Sequence, residues 1–442
     1  MRRAEEGGSM NVSFFQELLQ SISERGRQLL ESREPAPISA ASLVEASRRL
    51  LSGHGEASGV ALARQVLCAY RDCPAEQQKA FFDNLLNDFA PPREALAEAC
   101  RRYLENPGAE QVTALFEACE PPRQELFRRL NQAPGGTAEL IAMRRRLLQE
   151  LKARPQLAAV DHDLQHLLAS WFNRGFLVLR RIDWSTPAAI LEKIIRYEAV
   201  HAIKDWDDLR SRLQPADRRC FAFFHPALPE EPLIFVEVAL TRQMPAAIAE
   251  ILEQPGEAAE APDTAVFYSI SNCQEGLRGI SFGNFLIKQV VEELAREVPG
   301  LKQYVTLSPV PGFRRWLDSQ AERPEVAECL KALKPDAPPP PRLEQPLLAL
   351  AAEYFLQAKN AQGQPLDPVA RFHLGNGARL ERLNWRGDLS AGGLRQAAGL
   401  MVNYRYELRQ IEKNHEAYAN QGTVIAANEV KRHLAPPAKP RR

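Results

Sequence analysis

The sequence predicts an α+β protein in two parts: an all-α helical bundle over residues 1–172, then a mixed-sheet α/β domain over residues 173–442. Three observations carry this. From about Ile38 to Phe172 apolar residues recur three and four apart, the period of amphipathic helices. After Trp171 the texture changes to short β-branched and aromatic runs bounded by Pro, Gly and Asn, which is strand signal. A chain of 442 residues also suits two domains, each with its own core.

In the first part, SLVEASRRLLSG, PAEQQKAFFDNLLNDF, AEQVTALFEAC and TAELIAMRRRLLQELKA read as helices. Pro91-Pro92, Pro107-Gly108, Pro121-Pro122 and Pro134-Gly135-Gly136 break the run into short elements joined by tight loops, as in an antiparallel bundle. His162 and His166 lie four apart on one helix beside Asp161 and Asp163, but no third ligand accompanies them, so a helix surface is expected rather than a metal site. The run Arg144-Arg145-Arg146 reads as a solvated face. In the second part, GFLVLRRIDW, RRCFAFFHP, PLIFVEVAL, TAVFYSIS and QYVTLSP read as strands, interleaved with the helical pieces PAAILEKIIRYEAVH and GNFLIKQVVEELARE. PDAPPPPR, between Arg323 and Arg342, is expected as a polyproline-like surface connector. Order resumes through PLLALAAEYFLQA, DPVARFHLGNGARLERLNW and AAGLMVNYRYELRQIEKNHEAYA.

Lys plus Arg and Asp plus Glu are both 56, so no broad attraction to nucleic acid or to an anionic membrane is implied. Asn403-Tyr404-Arg405-Tyr406 is aromatic and basic, yet one short motif without a wider basic face makes no nucleic-acid surface. The seven cysteines are scattered and give neither a disulfide framework nor a zinc pattern. MRRAEEGGSMNVSFF lacks the apolar core of a signal peptide, and no later run reaches membrane-span length. The expected location is cytoplasmic.

The organising stretch is Thr264 to Trp316. It reads as an apolar strand (Ala265 to Ile270), a turn containing Gly276, Gly279 and Gly283, an amphipathic helix, a second strand (Tyr304 to Leu307) and a Ser-Pro turn. A strand that opens through a glycine turn into a helix gathers unpaired backbone N–H groups and the positive helix end, which suits a phosphate. Arg278-Gly279-Ile280-Ser281-Phe282-Gly283-Asn284 is neither a Walker loop nor a dinucleotide turn.

Ser308 stands at the end of the second strand, before Pro309. Two readings stand: a side chain displayed at the sheet edge where α/β proteins bind ligands, or a cap for a helix starting near Pro311. His373, in Arg371-Phe372-His373-Leu374-Gly375-Asn376-Gly377, enters a tight turn and is either aimed into a cleft or buried and satisfied. His225, His201 and His415 read as structural.

Arg278 to Asn284 resembles the pyrophosphate turn of the acetyltransferase (GNAT) superfold, with Ser281 where glycine is usual. Together, FFHPALPEEPLIFVEVALT, FYSISNCQEGLRGISFGNFLIKQVVEEL, TLSPVPGFRRWL, FHLGNGARLERLNW and GLMVNYRY closely resemble the malonyl-CoA decarboxylase family; the helical half fits its N-terminal domain more loosely. The resemblance implies a GNAT-like second domain that converts malonyl-CoA to acetyl-CoA and CO2 without cofactor or metal. It places catalytic roles on Ser308, His373 and Tyr406, and the CoA-binding turn on Arg278, Gly279, Ile280, Ser281, Phe282, Gly283 and Asn284. A glutamate of the animal enzymes corresponds to Ser281, so its role does not carry over. The resemblance further implies a homotetramer, with self-association in the helical half.

The chemistry agrees with those residue types. Loss of CO2 from a malonyl thioester leaves an enolate, which needs donors at the thioester oxygen and then a proton at carbon. Two other functions use the same residues: an acetyltransferase moving the acyl group to an amine, and a non-catalytic acyl-CoA sensor.

Overall fold

The computed structural model describes residues 40–53, 55–253, 261–280, 282 and 286–434. Two compact units emerge: one comprises Met1–Leu177, His225–Pro229 and Gln274–Phe282, the other Val178–Phe224, Glu230–Cys273 and Gly283–Arg442.

The first unit is helical: α1 (Ala40–Ser52), α2 (Glu56–Asp72), α3 (Ala75–Asn87), α4 (Arg93–Glu105), α5 (Ala109–Cys119), α6 (Pro122–Asn131), α7 (Gly136–Glu150) and α8 (Ala158–Trp171). The expected punctuation holds. Pro92 and Gly108 precede α4 and α5, Pro122 opens α6, and Gly135, at φ +75°, precedes α7. Leu43, Phe81, Phe82, Phe127, Leu140 and Leu164 are fully buried in the common core. Two polar features depart from the sequence reading. Asp163 is buried, where it receives Arg123 Nε at 2.5 Å and Gln124 at 2.7 Å. Arg144, expected on a solvated face, is 1% exposed and donates to Asp161 at 2.8 Å. Arginines at a helix contact are indistinguishable from solvated ones by type, so three in a row carry no signal of which turns inward.

The second unit contains, in order, β1 (Val178–Ile182), α9 (Ala188–Tyr197), α10 (Trp206–Leu213), β2 (Arg218–Phe224), β3 (Ile234–Thr241), α11 (Ala249–Leu252), β4 (Thr264–Asn272), α12 (Leu286–Glu297), β5 (Gln303–Thr306), β6 (Ser308–Pro309), α13 (Phe313–Ser319), α14 (Pro324–Ala332), α15 (Glu344–Leu356), α16 (Pro368–Gly375), β7 (Arg379–Asn384), α17 (Ala391–Ala397), β8 (Met401–Arg405), α18 (Ile411–Gln421) and α19 (Asn428–Arg432). The strands form one sheet in the order β1-β2-β3-β4-β5-β8-β6, with β7 on β8. Among the named strand pairs of the described residues, β4 and β5 run parallel and the others antiparallel. This is the mixed α+β architecture that the sequence predicts. Residues 323–342 hold more than a connector, since α14 forms from PEVAECLKA with Pro324 in its first turn.

Sheet burial explains the apolar runs. Cys220, Ala222 and Phe224 of β2 pack with Ile190, Leu191 and Ile194 of α9, while the alternate residues Phe221 and Phe223 are buried as well. With both faces covered, a strand loses its polar alternation. Pairing of β4 with β5 stops at Phe267 and Thr306, with one further bond from Leu307 N–H to the Phe267 carbonyl at 2.9 Å. Beyond it β4 continues to Asn272 against β3 alone among the described residues, and β5 turns instead toward β8.

Candidate active site

Thr306 and Ser308 lie two apart, so their side chains share one face of the extended backbone. Ser308 is held by β8, opposite Val402, and is 5% exposed. It does not cap a helix: α13 begins at Phe313, preceded by Gly312. Its hydroxyl donates to Thr306 Oγ1 at 2.8 Å, and Thr306 Oγ1 also accepts the Tyr404 N–H at 3.0 Å. Asn403 Nδ2 fixes the same residue from its main chain, donating to the Thr306 carbonyl at 2.6 Å, and its own Oδ1 is held by Asn384 at 2.7 Å.

His373 sits in the last turn of α16, not in the turn that follows it. Asp367 caps this helix through the Ala370 N–H at 2.8 Å and accepts a hydrogen bond from Tyr354 at 3.2 Å. At the other end Gly377, at φ +81°, lies against the Ile411 carbonyl, a position that a side chain would occupy only with strain. The His373 ring stacks on Tyr404, centroids 4.4 Å apart, and meets Phe372 edge-on at 5.1 Å. Its Nε2 lies 3.1 Å from Ser308 Oγ, and its Nδ1 lies 2.8 Å from Tyr406 OH. The structure therefore brings Ser308, His373 and Tyr406 into one hydrogen-bonded chain.

Burial settles the charge of this chain. It pushes the imidazole of His373 down to about 3, so the ring is neutral near pH 7, and it raises the Tyr406 phenol well above its ordinary value. A neutral imidazole carries one N–H. With the Ser308 proton directed at Thr306, the consistent tautomer has Nε2–H donating to Ser308 and Tyr406 donating to Nδ1. Ser308 is then the outermost group, and both ring nitrogens behind it are occupied.

The glycine turn is part of the helical unit. Glu275–Leu277 form one 3-10 turn, Gly279 adopts φ +81°, and a Cβ at Gly276 would run into the Ile141 carbonyl of α7. Arg278, Gly279, Ile280 and Phe282 are described, whereas Ser281, Gly283 and Asn284 lie outside the described residues. Among the described residues no group of three or more His, Cys, Asp or Glu side chains is placed to hold a metal ion.

Residues 175–442 match the malonyl-CoA decarboxylase C-terminal domain, and residues 89–172 the N-terminal domain of the same family. The chain belongs to the malonyl-CoA decarboxylase family. It is 35% identical over 408 residues to a goose (Anser anser anser) protein named mitochondrial malonyl-CoA decarboxylase, covering 82% of this chain and 81% of that one. A rat (Rattus norvegicus) protein of the same name is 36% identical over 351 residues, 71% of each chain. Crystal structures of malonyl-CoA decarboxylase from Rhodopseudomonas palustris and Agrobacterium vitis superpose with TM-scores of 0.86 and 0.83 at 56% and 53% identity. They cover 90% and 89% of this chain and the whole of theirs.

Within this malonyl-CoA decarboxylase framework, sequence reasoning missed Thr306, Tyr404 and Asn403. Thr306 had a usable signal, since it lies two residues before Ser308 on a strand and so shares its face. Tyr404 and Asn403 had none: that β8 inserts between β5 and β6 is a long-range pairing with no local signature.

Proposed function

We propose that this chain decarboxylates malonyl-CoA to acetyl-CoA and CO2, with Ser308 touching the acyl group, His373 behind it and Tyr406 behind His373. The observation that carries the reading is the buried Ser308–His373–Tyr406 chain, with a neutral imidazole at its centre. The carbon–carbon bond to the carboxylate breaks and its electron pair passes into the thioester as an enolate. With substrate bound, the Ser308 hydroxyl turns its proton from Thr306 to that charge and gives it to the α-carbon, which is more basic than an alkoxide. The Nε2–H of His373 supports the resulting oxygen anion, and solvent restores the proton after product leaves. A dry, preorganised donor is worth far more than the same group in water.

By the family resemblance, the turn at Arg278, Gly279, Ile280, Ser281, Phe282, Gly283 and Asn284 takes the CoA pyrophosphate, and the pantetheine arm runs where β4 and β5 part. The same resemblance supports a homotetramer, with residues 1–172 mediating self-association and residues 173–442 catalysis. No described helix is long and apolar enough to cross a membrane.

Incubation of the pure protein with malonyl-CoA alone tests the reading. Release of CO2 without an acyl acceptor is the expected result. Acyl transfer to an amine with no CO2, or binding with no turnover, overturns it in favour of an acetyltransferase or a sensor.

A further inference from the structure

We propose that Arg144 of α7 is a positioning residue for coenzyme A, holding the glycine turn so that its free amide faces the pyrophosphate. The inference rests on the assignment of that turn to the pyrophosphate. It gives the helical unit a part in substrate binding that is separate from any role in self-association.

Arg144 is 1% exposed, and its guanidinium is spoken for on both sides. Nε donates to Asp161 Oδ1 of α8 at 2.8 Å. Nη1 donates to the carbonyls of Gly276 and Arg278, at 2.8 and 2.9 Å. Two carbonyls two residues apart thus converge on one nitrogen, a geometry that only the planar fork of arginine meets while also binding a carboxylate. From the neighbouring turn of α8, Gln165 Nε2 donates to the Gly279 carbonyl at 3.1 Å. Gly276 lies so close to α7 that a Cβ would strike the Ile141 carbonyl, so the turn is seated directly on the helix backbone.

A consequence follows for the amides. Among the described residues no peptide is cis, so each carbonyl in the turn points away from the N–H of the next residue. Drawing the Arg278 carbonyl onto Arg144 turns the Gly279 N–H to the opposite side. The N–H groups of Leu277, Arg278 and Ile280 are used inside the turn, on Gln274, Glu275 and Leu277, at 2.9, 3.0 and 3.0 Å. The Gly279 N–H meets no acceptor among the described residues. A buried ion pair adds little net stability compared with apolar packing, so an arginine here is better explained by the geometry it imposes.

The test compares malonyl-CoA with malonyl-pantetheine, which lacks the pyrophosphate, in steady-state CO2 release by the full-length chain. The parent is expected to prefer malonyl-CoA. Arg144→Met should raise KM for malonyl-CoA tenfold or more, leave kcat within about twofold, and leave kcat/KM for malonyl-pantetheine unchanged; Arg144→Lys should fall between. Should Arg144→Met not fold, Gln165→Ala carries the test, since its half-exposed side chain makes one bond to the turn; it should raise the same KM by a smaller factor. An unmoved KM in these variants, or an equal loss on both substrates, overturns the positioning role. A parent that uses both substrates equally overturns the pyrophosphate assignment itself, and the inference with it.

Discussion

The Ser308 hydroxyl and Nε2 of His373 meet at 3.1 Å although 65 positions separate them in the chain. Nδ1 is engaged by Tyr406, so both ring nitrogens are occupied within the chain of side chains. Groups coupled in this way act as a unit. Ser308→Ala and His373→Ala should each lower kcat by about 10²-fold or more, and the double variant should lose little beyond either single. Rates of CO2 release check this; losses that multiply would show two independent roles.

Thr306 orients Ser308 by accepting its proton while being tied itself by the Tyr404 N–H. Thr306→Ser keeps the oxygen and should retain kcat within about threefold. Thr306→Val removes it, strands a buried N–H and frees the Ser308 proton, a loss of about 1–3 kcal/mol, or roughly tenfold to hundredfold in kcat. KM should change little in both. Tyr406→Phe, which leaves Nδ1 without its donor, should behave like Thr306→Val; full activity in that variant would remove Tyr406 from the chain of donors.

The helix that carries His373 also carries Asp367, and the two titrate in opposite senses. Burial lowers His373 from 6.5 to about 3, so the unfolded chain binds that proton first and stability falls as pH drops from about 6.5 toward 3. Burial raises Asp367 from 3.8 to about 6, so the folded chain binds first and stability rises as pH drops from about 6 toward 3.8. Each slope approaches about 1.4 kcal/mol per pH unit at most. Between pH 6 and pH 4 they offset one another. Replacing one should expose the other: relative to the parent, Tm should fall less on acidification in His373→Gln and more in Asp367→Asn. Equal Tm changes in all three proteins would show that neither group is held as described.

Much of this architecture was legible because local rules and global fold agree. Pro-Pro and Pro-Gly pairs ended the bundle helices where the sequence placed the breaks, and the apolar runs at 218–224, 234–241 and 264–272 became the central strands. The site was less legible. Ser308 gave a cap reading because Ser-Pro before a helix is a common local motif, and only its pairing with Val402 across β8 decided against it. Tyr406 entered by family likeness alone, since nothing local distinguishes it from Tyr404, which stacks on the same ring. Arg144 was invisible for a different reason: its partners are backbone carbonyls 132 and 134 positions away, and a carbonyl has no sequence identity.

The hairpin of α4 and α5 bears on the expected self-association. Helix α5 buries none of its residues, and Leu104, Val112 and Phe116 are 77%, 52% and 75% exposed. Val112 and Phe116 are four apart and so share one helix face. Scattered apolar residues at a surface are ordinary, but a pair on one face of a helix with no buried side of its own fits a contact between copies. Val112→Glu combined with Phe116→Glu should therefore reduce the particle mass in light scattering while leaving kcat/KM for malonyl-CoA within about twofold, since exposed sites distant from other features cost little stability. A parent that is already monomeric, or a double variant of unchanged mass, would place self-association elsewhere or exclude it.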